Sequence, residues 1–126
     1  MNVRIEIIPH DQQRYPTCGD WILDENGDLV IRVSKLSDWR YEMLVAVHEF
    51  CEVLMCKQVG ITQQAVDDFD KNFEAARLPG NEDEPGNDPT APYIKQHGIA
   101  TGIESILAAE LGVLWKEYEK EIYALP

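Results

Sequence analysis

Three side chains that could do chemistry lie in the apolar segment VAVHEFCEVLMC, residues 45–56, and they are His48, Glu49 and Glu52. At about 100° per residue, a helix places all three on one arc. His48 and Glu52 are four residues apart, so their side chains meet over one turn. An imidazole nitrogen and a carboxylate oxygen at this spacing can bind one divalent ion, and zinc accepts both. Glu49 lies on the flank, where it could act as the general base towards a water on that ion.

A third ligand must come from another segment, and the remaining histidines are His10 and His97. His10 belongs to a polar loop after a predicted strand. His97 belongs to a predicted helix in APYIKQHGIATGIESIL, and Glu104 follows seven residues later on the same side. We therefore predict His97 as the third ligand and Glu104 as a further ligand or hydrogen-bond partner of the site.

Two more side chains are candidates for supporting roles around this site. Asp70 lies between two phenylalanines, on the side of its helix that is expected to pack, where it could orient either histidine. The alternative for this acid is exposure to solvent, or a salt bridge to Lys71 or Arg77. Tyr41 lies beside the polar arc of the first helix.

The rest of the first helix is apolar. Its side opposite the polar arc is predicted to be buried. That side carries Trp39, Met43, Val47, Phe50, Cys51 and Leu54.

The pentapeptide His48-Glu49-Phe50-Cys51-Glu52 resembles the H-E-x-x-H active-site helix of the zincin metallopeptidases. The match covers five residues and departs at the fifth, where Glu52 stands in place of the second histidine. Because glutamate is itself a zinc ligand, the resemblance still implies a zinc cofactor and a metal-dependent hydrolase whose base is Glu49. The departure leaves peptidase activity itself open.

Two other functions stay open. Glu49-x-x-Glu52 and, fourteen residues on, Asp67-x-x-Asp70 resemble the paired acidic motifs of MazG-like nucleoside triphosphate pyrophosphohydrolases. That resemblance implies carboxylates from two helices holding magnesium against a triphosphate. The chain departs from that all-α group in having Asp at 67, N-terminal strands and no evident set of phosphate-binding Lys or Arg. The second alternative is a non-catalytic adaptor or regulator, with a structural metal site or a buried polar network.

Hydrophobic alternation, helical periodicity and turn residues predict one α+β domain over residues 1–126. Residues 1–36 predict a small N-terminal antiparallel sheet of about three strands, including a hairpin. Residues 37–78 predict two helices and residues 92–126 the C-terminal helices, three to four in all. Between them, 79–92 is an acidic loop rich in Pro and Gly, either a solvated linker or a lid. A sheet that leads into the ligand helix resembles the minimal zincin layout.

Charge and cysteine content narrow the function classes further. The net charge is −12, from 11 Lys+Arg against 23 Asp+Glu, and no basic stripe exists. Nucleic acid is therefore excluded as a partner, whereas a cation fits the charge. Cys18, Cys51 and Cys56 form no C-x-x-C pair and are odd in number, which favours a reducing cytoplasm. No segment is long and apolar enough for a membrane span, and the N-terminus does not have the pattern of a signal peptide.

Most of the chain is similar to a group of small phage and prophage proteins. The similar segments are GDW at 19–21, LVIRVS at 29–34, LVAVHEFCEVLMCKQVGI at 44–61, VDDFDKNFE at 66–74, APYIKQHGIATGIE at 91–104 and AAELGV at 108–113. The resemblance implies a phage-encoded protein of the host cytoplasm. It indicates no substrate, and formation of an oligomer stays open.

Overall fold

The computed structural model describes all 126 residues and has a three-stranded sheet followed by four helices. The strands are β1 (Val3–Ile8), β2 (Gly19–Leu23) and β3 (Leu29–Ser34). The helices are α1 (Trp39–Val59), α2 (Gln63–Ala75), α3 (Ile94–Glu110) and α4 (Trp115–Tyr123), and short 3-10 turns cover His10–Gln12 and Pro85–Asn87. The predicted α+β class is confirmed. None of the helices combines the length and apolarity that crossing a lipid bilayer requires.

The sheet is mixed rather than antiparallel, so the predicted strand arrangement is wrong for β1. The strand order is β1-β3-β2; β2 and β3 form the expected antiparallel hairpin, whereas β1 runs parallel to β3, with Ile5 opposite Ile31. The long connection from β1 through β2 to β3 allows this crossover, because parallel pairing needs about a dozen or more connecting residues. The central position goes to β3, whose Ile31 and Val33 are completely buried.

Helix α1 is the long central helix of the fold. Asp38 caps its start by accepting a hydrogen bond from the backbone N–H of Arg40, and Gly60 ends it in the left-handed conformation at φ 80°. One side of α1 packs on β2 and β3, and Val45 lies directly against Gly19 of β2. A second side of α1 packs on α3. The two helices are antiparallel: Arg40, at the start of α1, donates a hydrogen bond to the carbonyl of Leu111, at the end of α3.

The polar arc of α1 faces the interior, and the apolar side predicted to be buried is largely open to solvent. Trp39 is 64% exposed and Leu54 is 43% exposed. The prediction is wrong here because the sheet, α3 and Tyr118 of α4 pack on other sides of this helix. The partly exposed remainder of that side consists of Met43, Val47, Phe50 and Cys51.

Candidate metal centre

The three predicted ligands meet between α1 and α3. The Nε2 atom of His48 lies 3.2 Å from Oε2 of Glu52 and 3.1 Å from Nδ1 of His97, and the last two atoms are 3.0 Å apart. All three side chains are buried. Two helices that are 49 residues apart along the chain, counted between the two histidines, therefore bring two nitrogens and one oxygen to a common point.

This triangle has the size of one face of a zinc coordination shell. Zinc binds nitrogen and oxygen at about 2.0–2.2 Å in tetrahedral geometry, which puts neighbouring ligand atoms roughly 3.3–3.5 Å apart. A point about 2 Å from all three donor atoms therefore exists, slightly to one side of their plane. The fourth corner of the tetrahedron is not supplied by these three residues.

The outer nitrogen of each imidazole is held by a carboxylate. Nδ1–H of His48 donates to Oε1 of Glu104 at 2.8 Å, and Nε2–H of His97 donates to Oε2 of Glu84 at 2.8 Å. Oε2 of Glu52 faces the inner nitrogens in the same way, so with a cation at the common point each neutral ring would carry its proton on the outer nitrogen, where Glu104 and Glu84 accept it. Nε2 of His48 and Nδ1 of His97 then present lone pairs to the common point, which is the arrangement of a metal-bound histidine with its supporting carboxylate.

A convergence of lone pairs requires a positive charge, either protons or a metal ion. Burial opposes protonation of both rings, but the hydrogen bonds to Glu104 and Glu52 raise the pKa of His48 to about 11. The bonds to Glu52 and Glu84 similarly raise the pKa of His97 to about 9, against its burial. Burial works against ionisation of Glu52 as well, yet the two histidines lower its pKa to about 2. Two imidazolium rings would place like charges 3.1 Å apart, whereas one divalent ion supplies the same charge without that contact.

Glu49 has the free carboxylate of the site. It is half-buried, lines the cavity beside the ligands and makes no hydrogen bond within the protein. Its side chain passes close over Gly19, where an added Cβ would lie 2.8 Å from Oε1. Burial, and then the nearby charge of Glu52, raise the pKa of this carboxyl well above its ordinary value. Such a group is suited to exchange a proton with a molecule in the cavity.

A cavity of about 310 Å³ opens onto the three ligands and Glu49. Carboxylates from β2, α1, α2, α3, α4 and the 79–92 segment line it, and the single Arg or Lys among its lining residues is Arg77. Negative potential therefore accumulates in this cavity, which favours cations over anions.

The two predicted supporting residues Asp70 and Tyr41 do not contact the histidines. Asp70 accepts hydrogen bonds from the hydroxyls of Tyr15 and Tyr93 and pairs with no basic side chain. The Tyr41 ring packs against Tyr118 with 5.3 Å between ring centroids and a tilt of 51°, and it makes no hydrogen bond to the site. Tyr118 and Glu104 lie between Tyr41 and His48. Tyr93 lies between Asp70 and His97.

Glu104 takes the predicted supporting role rather than that of a fourth ligand. Its Oε1 accepts from His48, and its Oε2 accepts from the hydroxyl of Tyr118 at 2.6 Å. Tyr118 therefore orients the Glu104 carboxylate, and this carboxylate in turn orients the His48 ring. Trp21 does the same for Glu52, since its indole N–H donates to Oε1 at 3.2 Å and leaves Oε2 for the common point.

Sequence reasoning missed Glu84, Trp21 and Tyr118. Glu84 lies in the segment 79–92, which was expected to be a solvated linker or a lid. In the structure this segment is packed against the site, because Gly86 is buried directly beneath the His97 ring and a Cβ there would overlap it. The absence of a side chain at Gly86, next to Pro85, is the one signal in the sequence that a close approach occurs here.

The acids of the magnesium alternative are largely engaged elsewhere. Both oxygens of Asp67 accept from the guanidinium of Arg14, which also binds Asp20 through two hydrogen bonds. Asp70 is held by two tyrosines. Both carboxylates thus already serve in hydrogen bonds that link α2 to other parts of the fold.

Comparison with known proteins gives no relative: no protein-family model, no curated protein and no solved structure matches this chain. The fold and the site together define an α+β protein with a His48/Glu52/His97 group that could hold a metal ion.

Proposed function

We propose that the protein binds one zinc ion through His48, Glu52 and His97 and acts as a metal-dependent hydrolase with Glu49 as its general base. The observation that supports this most directly is the triangle of donor atoms at 3.0–3.2 Å. Its outer nitrogens are both committed to carboxylates. A buried histidine pair that served packing alone would not need two lone pairs and a carboxylate oxygen aimed at one point.

The rest of the chemistry follows from this arrangement. Two nitrogens and one carboxylate oxygen are a donor set of catalytic zinc sites, which keep a fourth position open. Zinc in such a site polarises a carbonyl or phosphoryl oxygen and acidifies a water. The carboxylate of Glu49, in its ionised form, would accept the proton of that water. Glu104 and Glu84 would hold the rings in the required tautomers, and the cavity would hold a substrate whose identity is unknown.

The setting we propose is the reducing cytoplasm, that of a bacterial host if the protein is phage-encoded. All three cysteines are free thiols, and none is a donor of the metal centre. A thiolate zinc site or a disulfide framework is thus not part of the proposal.

Metal content tests the binding step. Protein purified without chelator is expected to contain close to one zinc per chain by elemental analysis, and His97→Ala is expected to contain almost none. His10→Ala is the matched control, because His10 bonds to Ser34 and is not one of the three donors, so its loss should leave the zinc in place. A wild-type chain that contains no metal, and shows no thermal shift when zinc is added, would overturn the proposal in favour of a proton-filled polar network.

Cobalt substitution tests whether the fourth position is open. A cobalt-loaded protein should show visible absorption bands that shift when a hydroxamate or azide is added, because an open metal site accepts such ligands. Glu49→Gln should retain the metal and these bands but lose any hydrolysis that a panel of chromogenic esters, peptides and phosphoesters detects. Bands that no added ligand can shift would assign the metal to a structural role. Loss of metal in Glu49→Gln would make Glu49 a ligand instead of a base.

A further inference from the structure

The side of the α1–α3 pair that faces away from the cavity carries the most exposed apolar side chains of the two helices. We call it the outer face. On α1 it includes Trp39 and Leu54, and on α3 it includes Ile99, Ile103 and Ile106, of which Ile106 is 73% exposed. Soluble monomers seldom leave so many large apolar side chains open on adjacent helices.

These side chains form one continuous surface. The two helices are antiparallel, and each turns by about 100° per residue. Around the axis of α1, the exposed apolar residues lie about 100–180° from His48, all in the same rotational sense. Around the axis of α3, the exposed isoleucines lie at similar angles from His97 and in that same sense. Because the helices run in opposite directions, these two arcs fall on the same side of the pair.

Strand β1 extends the surface beyond α1. Trp21 of β2 bonds to Glu52 on the α3 side of α1, and the strand order β1-β3-β2 then places β1 on the other side of α1. The apolar residues of β1 pair with the buried residues of β3 and lie on the same side of the sheet. They are nevertheless about half exposed, because no helix lies over them. They are Val3, Ile5 and Ile7.

The distribution of charge and the shape of the outer face both favour a second copy of the chain as the molecule that covers this face. The chain carries a net charge of −12, so two copies repel each other over most of their surfaces. The central positions of the outer face have no Asp or Glu, which are confined to its edge at Glu110. On α3, Gly102 leaves open space one turn before Ile106, so that two copies related by a two-fold axis can fit a side chain into this gap.

The exposed apolar area supplies more than half of what a stable dimer buries. The five most exposed side chains contribute on the order of 500 Å² per copy, and the half-buried Met43, Val47 and Phe50 add to this, against roughly 800 Å² per partner in a typical stable complex. Trp, Met and Phe are residue types that are enriched at the centres of such interfaces.

We propose that the protein is a homodimer in which the outer faces of two α1–α3 pairs pack on each other to form a four-helix core. The helices that present the metal ligands on their inner side are then covered on their outer side. Pairing would hold the spacing between α1 and α3, and hence the distance between His48 and His97, without adding any residue to the site. The proposal does not depend on zinc.

Molar mass in solution tests the proposal directly. Light scattering and sedimentation equilibrium should give twice the chain mass of 14.4 kDa, with or without a chelator. Ile106→Glu is expected to shift the mass to that of one chain, whereas Leu78→Glu should remain dimeric. Leu78 is the matched control because it is 72% exposed, as Ile106 is 73%, but lies after α2 and away from the outer face.

A second variant guards against misfolding as the cause. Gly102 is an exposed helical position with nothing within 4 Å of an added Cβ, so Gly102→Glu should keep its circular dichroism spectrum and still become monomeric. A wild-type chain that is monomeric at about 100 µM, a concentration far above the Kd of typical stable dimers, would overturn the proposal. A dimer that survives both Ile106→Glu and Gly102→Glu would also overturn it, because the interface would then lie elsewhere.

Discussion

At the scale of single residues, the partners of the outer nitrogens distinguish this histidine pair from ordinary core histidines. A core histidine needs one acceptor for one N–H, and its other nitrogen can be left to solvent or a hydroxyl. Here both rings give their N–H to a glutamate and turn the other nitrogen towards the same point as Glu52. Removing one supporting glutamate should therefore affect metal binding more than it affects folding.

Glu104→Gln is the sharpest substitution of this kind. The amide can still accept from His48, but it carries no charge to raise the basicity of the ring, so zinc affinity is expected to fall by about 10–100-fold. Competition titration with a chromophoric chelator measures this change. Glu110→Gln on the same helix is exposed and makes no contact with the site, and it should leave the affinity unchanged. An unchanged affinity in Glu104→Gln would show that the carboxylate has no role in metal binding.

Gly86→Ala tests whether the 79–92 segment supports the site through packing. An added methyl group would overlap the His97 ring, so the ring must move and the three-atom triangle must open. Zinc content is expected to drop well below one per chain while the chain stays folded by circular dichroism. Gly98→Ala is the control, since a Cβ there meets nothing within 4 Å. Full zinc content in Gly86→Ala would mean that the segment can yield without moving His97.

At the scale of elements, helical rotation predicted the site better than it predicted the fold around it. The arc of His48, Glu49 and Glu52 follows from 3.6 residues per turn alone. His97 could be chosen because it lies on another predicted helix, α3 in the structure. Glu84 could not be found in this way, because a loop residue has no periodicity that assigns it a side.

The direction of β1 and the exposure of the apolar side of α1 could not be predicted for a related reason. Alternation along β1 indicates a strand, but it does not decide which strand is its neighbour or in which direction the two run. The apolar side of α1 indicates that something covers the helix, and the pattern does not distinguish the chain's own core from a partner. Long-range packing, which single-sequence periodicity does not contain, decides both.

Arg14 joins the connection after β1 to both β2 and α2. Its guanidinium makes paired hydrogen bonds to Asp20 and Asp67, and both carboxylates are buried. Arg14→Met would leave two buried acids without their cation, and the free energy of unfolding is expected to fall by about 2 kcal/mol, allowing for the partial exposure of Arg14. Urea unfolding measures this loss. Arg4→Met, which removes an exposed pair with Glu6, should cost almost nothing, and equal losses in the two variants would refute the structural role of Arg14.

At the scale of the whole molecule, the fold places acidic side chains around an interior cavity and leaves large apolar side chains on the surface. Buried or half-buried carboxylates surround one cavity, and the outer face of α1 and α3 has almost none. Both features reduce the stability of an isolated chain, because the acids around the cavity repel one another and the exposed apolar side chains stay in contact with water. A cation in the cavity would offset the repulsion between the acids, and a second copy would cover the apolar outer face. Because each partner would bind only the folded chain, each would raise its stability.

Asp70 shows how the buried acids should make stability depend on pH. Burial, together with the nearby charge of Glu52, raises its pKa from 3.8 to about 7, even though Tyr93 and Tyr15 donate hydrogen bonds that oppose the rise. Between those two pH values the folded chain holds a proton that the unfolded chain has lost. The free energy of unfolding therefore decreases as the pH rises from about 4 to about 7, and it stays low above that.

Asp70→Asn removes this titration and keeps a side chain that can hydrogen-bond both tyrosines. In chelator-treated protein, the variant should match the wild type near pH 4 and exceed its free energy of unfolding by about 4 kcal/mol at pH 8, since the pKa of Asp70 is raised from 3.8 to about 7. Urea unfolding across this range gives the difference, in which the titration of other groups cancels. Asp68→Asn, an exposed acid on the same helix, serves as the control and should show no such trend. A difference between Asp70→Asn and wild type that stays constant with pH would show that Asp70 ionises in the folded chain as it does in the unfolded one.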